Sequence, residues 1–194
     1  MKKKTLVLLI AVMLLVGGVI GGTLAWLTTK TEAVKNTFTT SNINITLKET
    51  DRPYKMVPGH TIEKDPKATV LGGSEPCYLF VKVEKSVNFD NYLTYEMADG
   101  WTALDGVANV YYREVPATAD NTVVVDDTAF SILKYDKVSV SGEVTKEMMD
   151  KIESKTDPET EPTLTFTAYA SQLYKNGSTK FTATEAWENA QPTP

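Results

Sequence analysis

From Leu6 to Leu27 the chain is almost continuously apolar and carries no charge, whereas beyond Asn36 apolar residues recur mostly at every second position. Period two is the mark of a half-buried strand, because successive strand side chains point to opposite faces. Ile43, Ile45 and Leu47 alternate with Asn44, Thr46 and Lys48, which predicts a first strand of about seven residues. Val57-Pro58-Gly59 marks a turn, His60 to Val70 reads as a polar extended stretch interrupted by Pro66, and Gly72-Gly73 makes another break. The clearest strand is Cys77 to Glu84, where Cys77, Leu79, Val81 and Val83 alternate with Tyr78, Phe80, Lys82 and Glu84.

Turns at Ala98-Asp99-Gly100 and Asp105-Gly106 separate the β-prone runs Tyr92 to Met97, Trp101 to Leu104 and Val107 to Val115. Val123-Val124-Val125, Phe130 to Leu133 and Lys137 to Val140 predict further short strands. Thr145 is placed to cap a helix ending near Lys155, with Val144 and Met149 as a hydrophobic staple and Met148, Met149 and Ile152 as its apolar stripe. Asp157-Pro158 ends that helix. Leu164, Phe166, Ala168 and Ala170 then alternate with Thr165, Thr167 and Tyr169, Asn176-Gly177 turns the chain back into Thr179 to Ala183, and Thr184 to Asn189 predicts one or two helical turns carrying Trp187. About eight or nine short strands with one or two short helices imply a mainly β, two-layer β-sandwich. The organisation expected is a targeting segment over 1–25, an extended arm over 26–35, a single β-sandwich domain over 36–190 and a frayed tail over 191–194.

The opening segment has the order of an export signal: Lys2-Lys3-Lys4, an apolar run from Leu6 to Ile20, and Gly21-Gly22-Thr23-Leu24-Ala25 with small residues at its end. Thr23-Leu24-Ala25 approximates a small-x-small pattern and places cleavage between Ala25 and Trp26. A retained anchor is the rival reading, since a helix from Leu6 to Leu27 would be about 33 Å long, enough to cross a bilayer core. Gly17, Gly18, Gly21 and Gly22 weaken its second half, and no basic cluster follows it. The arm after the cut is polar and Thr-rich, with Leu27 and Val34 as its isolated apolar points.

Charge sharpens the picture. The whole chain has 20 Lys+Arg, 25 Asp+Glu and a net charge of −5. Loss of Lys2, Lys3 and Lys4 with the signal leaves 17 against 25, or −8. An acidic exported domain has no electrostatic reason to hold nucleic acid or an anionic lipid surface. One cysteine excludes an intramolecular disulfide, and a cysteine-poor exported chain fits a Gram-positive cell surface.

Candidate chemistry is sparse. The single histidine lies in His60-Thr61-Ile62-Glu63, which lacks the second histidine of a zinc-protease helix and follows Pro58-Gly59, so a loop or strand-edge histidine is expected. Asp99, Asp105, Asp120, Asp126 and Asp127 form no D-x-D-x-D-G calcium loop and read as turn and solvated residues. Cys77 shares the parity of Leu79 and Val81 and is expected in the core. Trp101, Tyr111 and Tyr112 are read as packing residues rather than an aromatic ligand platform. Leu71-Gly72-Gly73-Ser74 lacks the lysine and following helix of a phosphate loop. No catalytic residue, metal site or cofactor is predicted.

Several stretches together resemble a known group. Gly21-Gly22-Thr23-Leu24-Ala25-Trp26-Leu27-Thr28, followed by Asn36-Thr37-Phe38-Thr39-Thr40-Ser41-Asn42-Ile43-Asn44-Ile45-Thr46-Leu47, resembles the TasA and camelysin (CalY) family of Firmicutes. Pro58 to Pro66, Cys77 to Glu84, Leu164 to Ala170 and Thr184-Glu185-Ala186-Trp187 are similar to clostridial members of it, so the likeness spans nearly the whole chain. The resemblance implies a jelly-roll sandwich, export through a SipW-type signal peptidase, and a secreted or cell-surface biofilm-matrix role. In that role the arm of one subunit, with Trp26, Leu27 and Val34, completes the sheet of the next by donor-strand exchange. The implied partners are further copies of the chain and an accessory matrix or anchoring protein. A camelysin-like cell-surface metallopeptidase and a monomeric surface adhesin or ligand-binding module are the alternatives. An exposed strand edge accepts an extended segment through backbone hydrogen bonds on physical grounds alone.

Overall fold

A computed structural model describes residues 42–50, 54–117, 123–154 and 161–191. The signal segment, the arm and the cleavage pair Ala25 and Trp26 lie outside the described residues, as do Leu27, Val34, Asp120 and Asp157-Pro158. Every described residue belongs to one compact unit, Thr40–Pro194.

The backbone is organised around β4 (Cys77–Lys85), whose β-branched and aromatic residues favour an extended chain. It pairs antiparallel on one side with β10 (Leu164–Gln172) and on the other with β7 (Val110–Val115), which in turn holds the two-residue β6 (Thr102–Ala103). A three-stranded sheet joins β1 (Ile45–Lys48), β3 (Lys67–Val70) and β8 (Thr128–Ser131), and another joins β2 (Thr61–Glu63), β9 (Leu133–Val140) and β5 (Leu93–Met97). A small hairpin, β11 (Tyr174–Asn176) with β12 (Thr179–Lys180), closes the set. All of these pairings are antiparallel. The chain is thus mainly β, and the arrangement is consistent with a β-sandwich.

One face of β4 lies over both three-stranded sheets. Cys77, Leu79, Val81 and Val83 are buried against Ala68 and Val70 of β3, with Phe166 and Ala168 of β10 beside them. Leu164 and Phe166 also reach a second cluster made by Leu93, Leu133, Val138 and Val140 with two helices, α1 (Phe89–Tyr92) and α2 (Lys146–Ser154). The two three-stranded sheets meet where Thr61–Val70 runs beside Thr128–Val140. Pro66 has no N–H to donate, so the ladder breaks there. Its carbonyl accepts from Ile132 (3.0 Å), and the Lys64 N–H donates to the Asp136 carbonyl (2.8 Å). Extra residues on the β9 side are absorbed by Tyr135 and Asp136, both left-handed at φ 57° and 53°.

The other face of β4 departs from the expected alternation. Tyr78 and Phe80 are buried as deeply as their inward neighbours, because α3 (Ala183–Ala190) packs Ala186 and Trp187 over them. The Trp187 ring lies 5.3 Å from Phe80 and 5.1 Å from Tyr169. A helix therefore covers part of the sheet face that period two assigns to solvent.

Other differences are local. β1 is four residues rather than seven: the Asn44 N–H turns to the Ser74 hydroxyl (3.0 Å), although Ile43 still packs on the core. Val123-Val124-Val125 is not a strand. Val124 is buried as a plug, donating to the Ser74 carbonyl (2.7 Å) and accepting from Gly73 (2.8 Å). Phe130 to Leu133 and Lys137 to Val140 fall into β8 and a continuous β9. Twelve strands and three helices are present among the described residues, more than the eight or nine strands and one or two helices expected.

Both longer helices start where their caps dictate. The Thr145 hydroxyl accepts from Met148 N–H (3.3 Å), and Val144, Met149 and Ile152 join the second cluster as the stripe predicts. At α3, Thr182 Oγ1 accepts from Glu185 N–H (3.2 Å) while the Glu185 carboxylate accepts from Thr182 N–H (2.8 Å). This capping box starts the helix one residue before Thr184. The Lys175 ammonium, 2.6 Å away, and then the Thr182 hydrogen bonds hold the Glu185 carboxyl down to about 2. Its stabilising contribution is complete above the ordinary 4.5 and is lost as pH falls towards 2. Thr182→Ala should cost about 1 kcal/mol, measured by urea unfolding at pH 7. A loss near zero would mean that Trp187 alone anchors the helix.

Candidate functional site

Among the described residues a groove of about 680 Å³ lies between the β2–β9–β5 sheet, α2 and the start of β10. Its wall is apolar because each element turns its hydrophobic side inward. Period two puts Ile62 of β2 and Val138 of β9 on the same face, in register. The α2 stripe supplies Met149 and Ile152, and β10 begins with Leu164. Exposed Glu153 and Glu161 and half-buried Lys64 give the groove its charges. The Lys64 ammonium donates to Glu49 (2.8 Å) and lies 4.9 Å from the Tyr54 ring centre, so its charge is already engaged.

Backbone edges accompany this apolar wall. β2 is the outer strand of its sheet and β10 the outer strand of the four-stranded sheet, and among the described residues neither outer edge is paired with a further strand. Residues of both line the groove. An edge with an adjoining apolar trough suits an extended segment, which takes backbone hydrogen bonds from the edge and seats alternate side chains in the trough.

No family model, curated protein or solved structure matches this chain.

The residues singled out in the sequence do not converge. His60 is exposed in the turn before β2, with Nδ1 3.1 Å from the Pro58 carbonyl oxygen, and Glu63 is exposed on β2. Among the described residues no three His, Cys, Asp or Glu side chains gather as a metal-binding group. Asp99 and Asp105 are exposed turn residues; Asp126 is exposed; Asp127 Oδ1 accepts from the Gly72 N–H (2.8 Å) and closes that turn onto its neighbour. An added Cβ at Gly72 would meet the Val125 carbonyl oxygen at 2.8 Å, which explains glycine there.

Tyr111 and Tyr112 point to opposite faces of β7. Tyr112 stacks edge-on with Tyr78 (5.9 Å), while Tyr111 packs on the Cys77 side. Trp101 donates Nε1–H to the Ser131 carbonyl (2.8 Å). The Arg113 guanidinium lies 3.8 Å from the Phe130 ring centre and 5.3 Å from that of Trp101, and desolvation lowers its pKa. These aromatics serve packing and hold a cation rather than presenting one surface. Cys77 is fully buried between β7 and β10, and burial pushes its thiol up to about 12. Burial also raises the Tyr95 hydroxyl to about 12, with Tyr111 adding to the effect.

The sequence contained the groove only in fragments. Met149 with Ile152 on a helix and Leu164 on a strand each signal an inward face, whereas Ile62 lies in a stretch that reads as polar, and a periodicity does not say that such faces stop short of closing on one another.

Proposed function

We propose that this chain is an exported structural subunit of extracellular biofilm-matrix fibres and not an enzyme. It is released by cleavage after Ala25 and assembles when the arm of one copy occupies the groove of the next. The observation that carries this reading is the apolar groove lined by residues of β2 and β10, the outer strands of their sheets. The occupant is the segment 26–35, which, fully extended, spans about 33 Å and offers Leu27 and Val34 as anchors. Its polar, Thr-rich character suits pairing along an edge. A jelly-roll connectivity, a SipW-type peptidase for release, and an accessory matrix or anchoring protein belong to the same reading. Cleavage after Ala25 would free the arm only outside the cell, so polymerisation would follow export.

Negative-stain electron microscopy of purified Trp26–Pro194 beside Asn36–Pro194 tests it. Filaments are expected from the first and none from the second. Ile62→Lys in the longer form, which puts a charge on the trough floor, is expected to abolish them while leaving the far-ultraviolet circular dichroism unchanged. Filaments of equal number from the shortened chain, or none from either chain across pH and salt, would reject arm exchange.

A further inference from the structure

The solvent face of the β2–β9–β5 sheet carries an array that fibre assembly does not use. Thr61 of β2 is opposite Ser139 of β9, which is opposite Thr94 of β5. Three exposed hydroxyl residues therefore stand in one row, at strand spacings of about 4.8 Å. Alternate positions along the same strands add Glu63, Lys137 and Glu96 to that exposed face. Beside these polar residues stands Tyr135, 81% exposed.

Two features set Tyr135 apart from a chance surface aromatic. The corner between the sheets needs left-handed residues, a conformation that glycine, asparagine and aspartate accept best. Asp136 (φ 53°) fits that preference, whereas Tyr135 (φ 57°) is an aromatic held in strained backbone. Tyr135 also lines, with Lys134, two depressions of about 220 Å³ each. One contains Thr61, Thr94 and Ser139; the other contains Asp99 and Asp136, whose Oδ1 is buried without a hydrogen-bond partner. Lys134 is held over the site, donating to Glu96 at 2.7 Å, with its ammonium 5.7 Å from the Tyr135 ring centre.

We propose that Tyr135 and the hydroxyl row form a carbohydrate-binding face, with the ring stacking on the C–H face of a sugar and the flanking hydroxyl, carboxylate and ammonium groups bonding its hydroxyls. The surroundings favour a polyol over a protein partner. A protein hot spot seats its aromatic among apolar neighbours that exclude water, while Tyr135 is ringed by groups that hydrogen-bond. The exposed row across three strands suits a chain of sugars lying across them more than a single enclosed monosaccharide.

Isothermal titration calorimetry of the purified protein with hexasaccharides of glucose, xylose, mannose and N-acetylglucosamine tests this. At least one is expected to bind, with Tyr135→Gly weakening it by about tenfold or more. Because glycine accepts the left-handed conformation, Tyr135→Gly should also melt higher than the parent, so that lost binding cannot be assigned to lost folding. Thr94→Val, away from the corner, should weaken binding without moving the melting temperature. Heat from none of the four sugars, or equal affinity in Tyr135→Gly, would overturn the proposal. Self-association by sedimentation velocity that Tyr135→Gly abolishes in the absence of sugar would overturn it in favour of a protein contact.

Discussion

Phe80→Ala is expected to cost about 3–5 kcal/mol of folding stability, the range for removing a large aromatic from a close-packed site. Phe80 is fully buried on the face of β4 that alternation assigns to solvent. Its ring touches three aromatic partners: Trp187 at 5.3 Å, Tyr78 at 6.0 Å and Tyr112 at 6.2 Å. Backbone neighbours on both sides, Tyr169 and Tyr112, hold the strand in place, so the site has little freedom to collapse around the cavity. The loss should appear as a lower midpoint in urea with the slope unchanged. Trp187→Ala should lose a comparable amount, and the double variant should lose less than the sum, because the two rings share one contact. A Phe80→Ala loss below about 1 kcal/mol, the scale of an ordinary surface change, would mean that α3 does not cover this face in solution.

That prediction also locates what the sequence could and could not disclose. The inward face of β4 was legible residue by residue: Cys77, Leu79, Val81 and Val83 are the buried set that alternation names. Its outward face was not, because period two separates two faces without saying whether something distant covers the second. The cover here is Trp187, more than a hundred positions along the chain. The helix that carries it was visible as one or two helical turns over Thr184 to Asn189, but its docking partner was not. Similarly, Lys134-Tyr135-Asp136 looked like a gap between two strands. The backbone instead continues through it with Tyr135 and Asp136 in left-handed conformation, absorbing the break that Pro66 makes in the opposite strand. α1 was missed because four residues are too few to show a 3.6-residue period. The groove escaped for a related reason: the α2 stripe and the start of β10 were read as apolar faces, but Ile62 lay hidden in a stretch read as polar, and an incomplete meeting of faces leaves no mark in any one segment.

Cys77 should resist alkylation in the folded protein by about four orders of magnitude or more relative to the unfolded chain, since only global opening, which costs at least about 5 kcal/mol in an ordinary domain, would expose it. The thiolate is the reacting species, and the native thiol is held near 12 against its ordinary 9.0. Stability gained by keeping it protonated is complete below about 9 and is lost as pH rises towards 12. Labelling with iodoacetamide at pH 8 therefore reads opening without inducing it. Although Cys77 begins β4, fraying does not offer a shortcut, because the strand is held there by Val115 of β7 and Gln172 of β10. The two predictions constrain each other. If Cys77 reacts only through global unfolding, Phe80→Ala must accelerate its labelling by the same free energy that it removes from stability, about two to four orders of magnitude. Fast labelling of the parent would place the thiol outside the core. Slow labelling that Phe80→Ala leaves unchanged would mean that β4 opens locally, separating the inward face that the sequence named from the outward face that α3 covers.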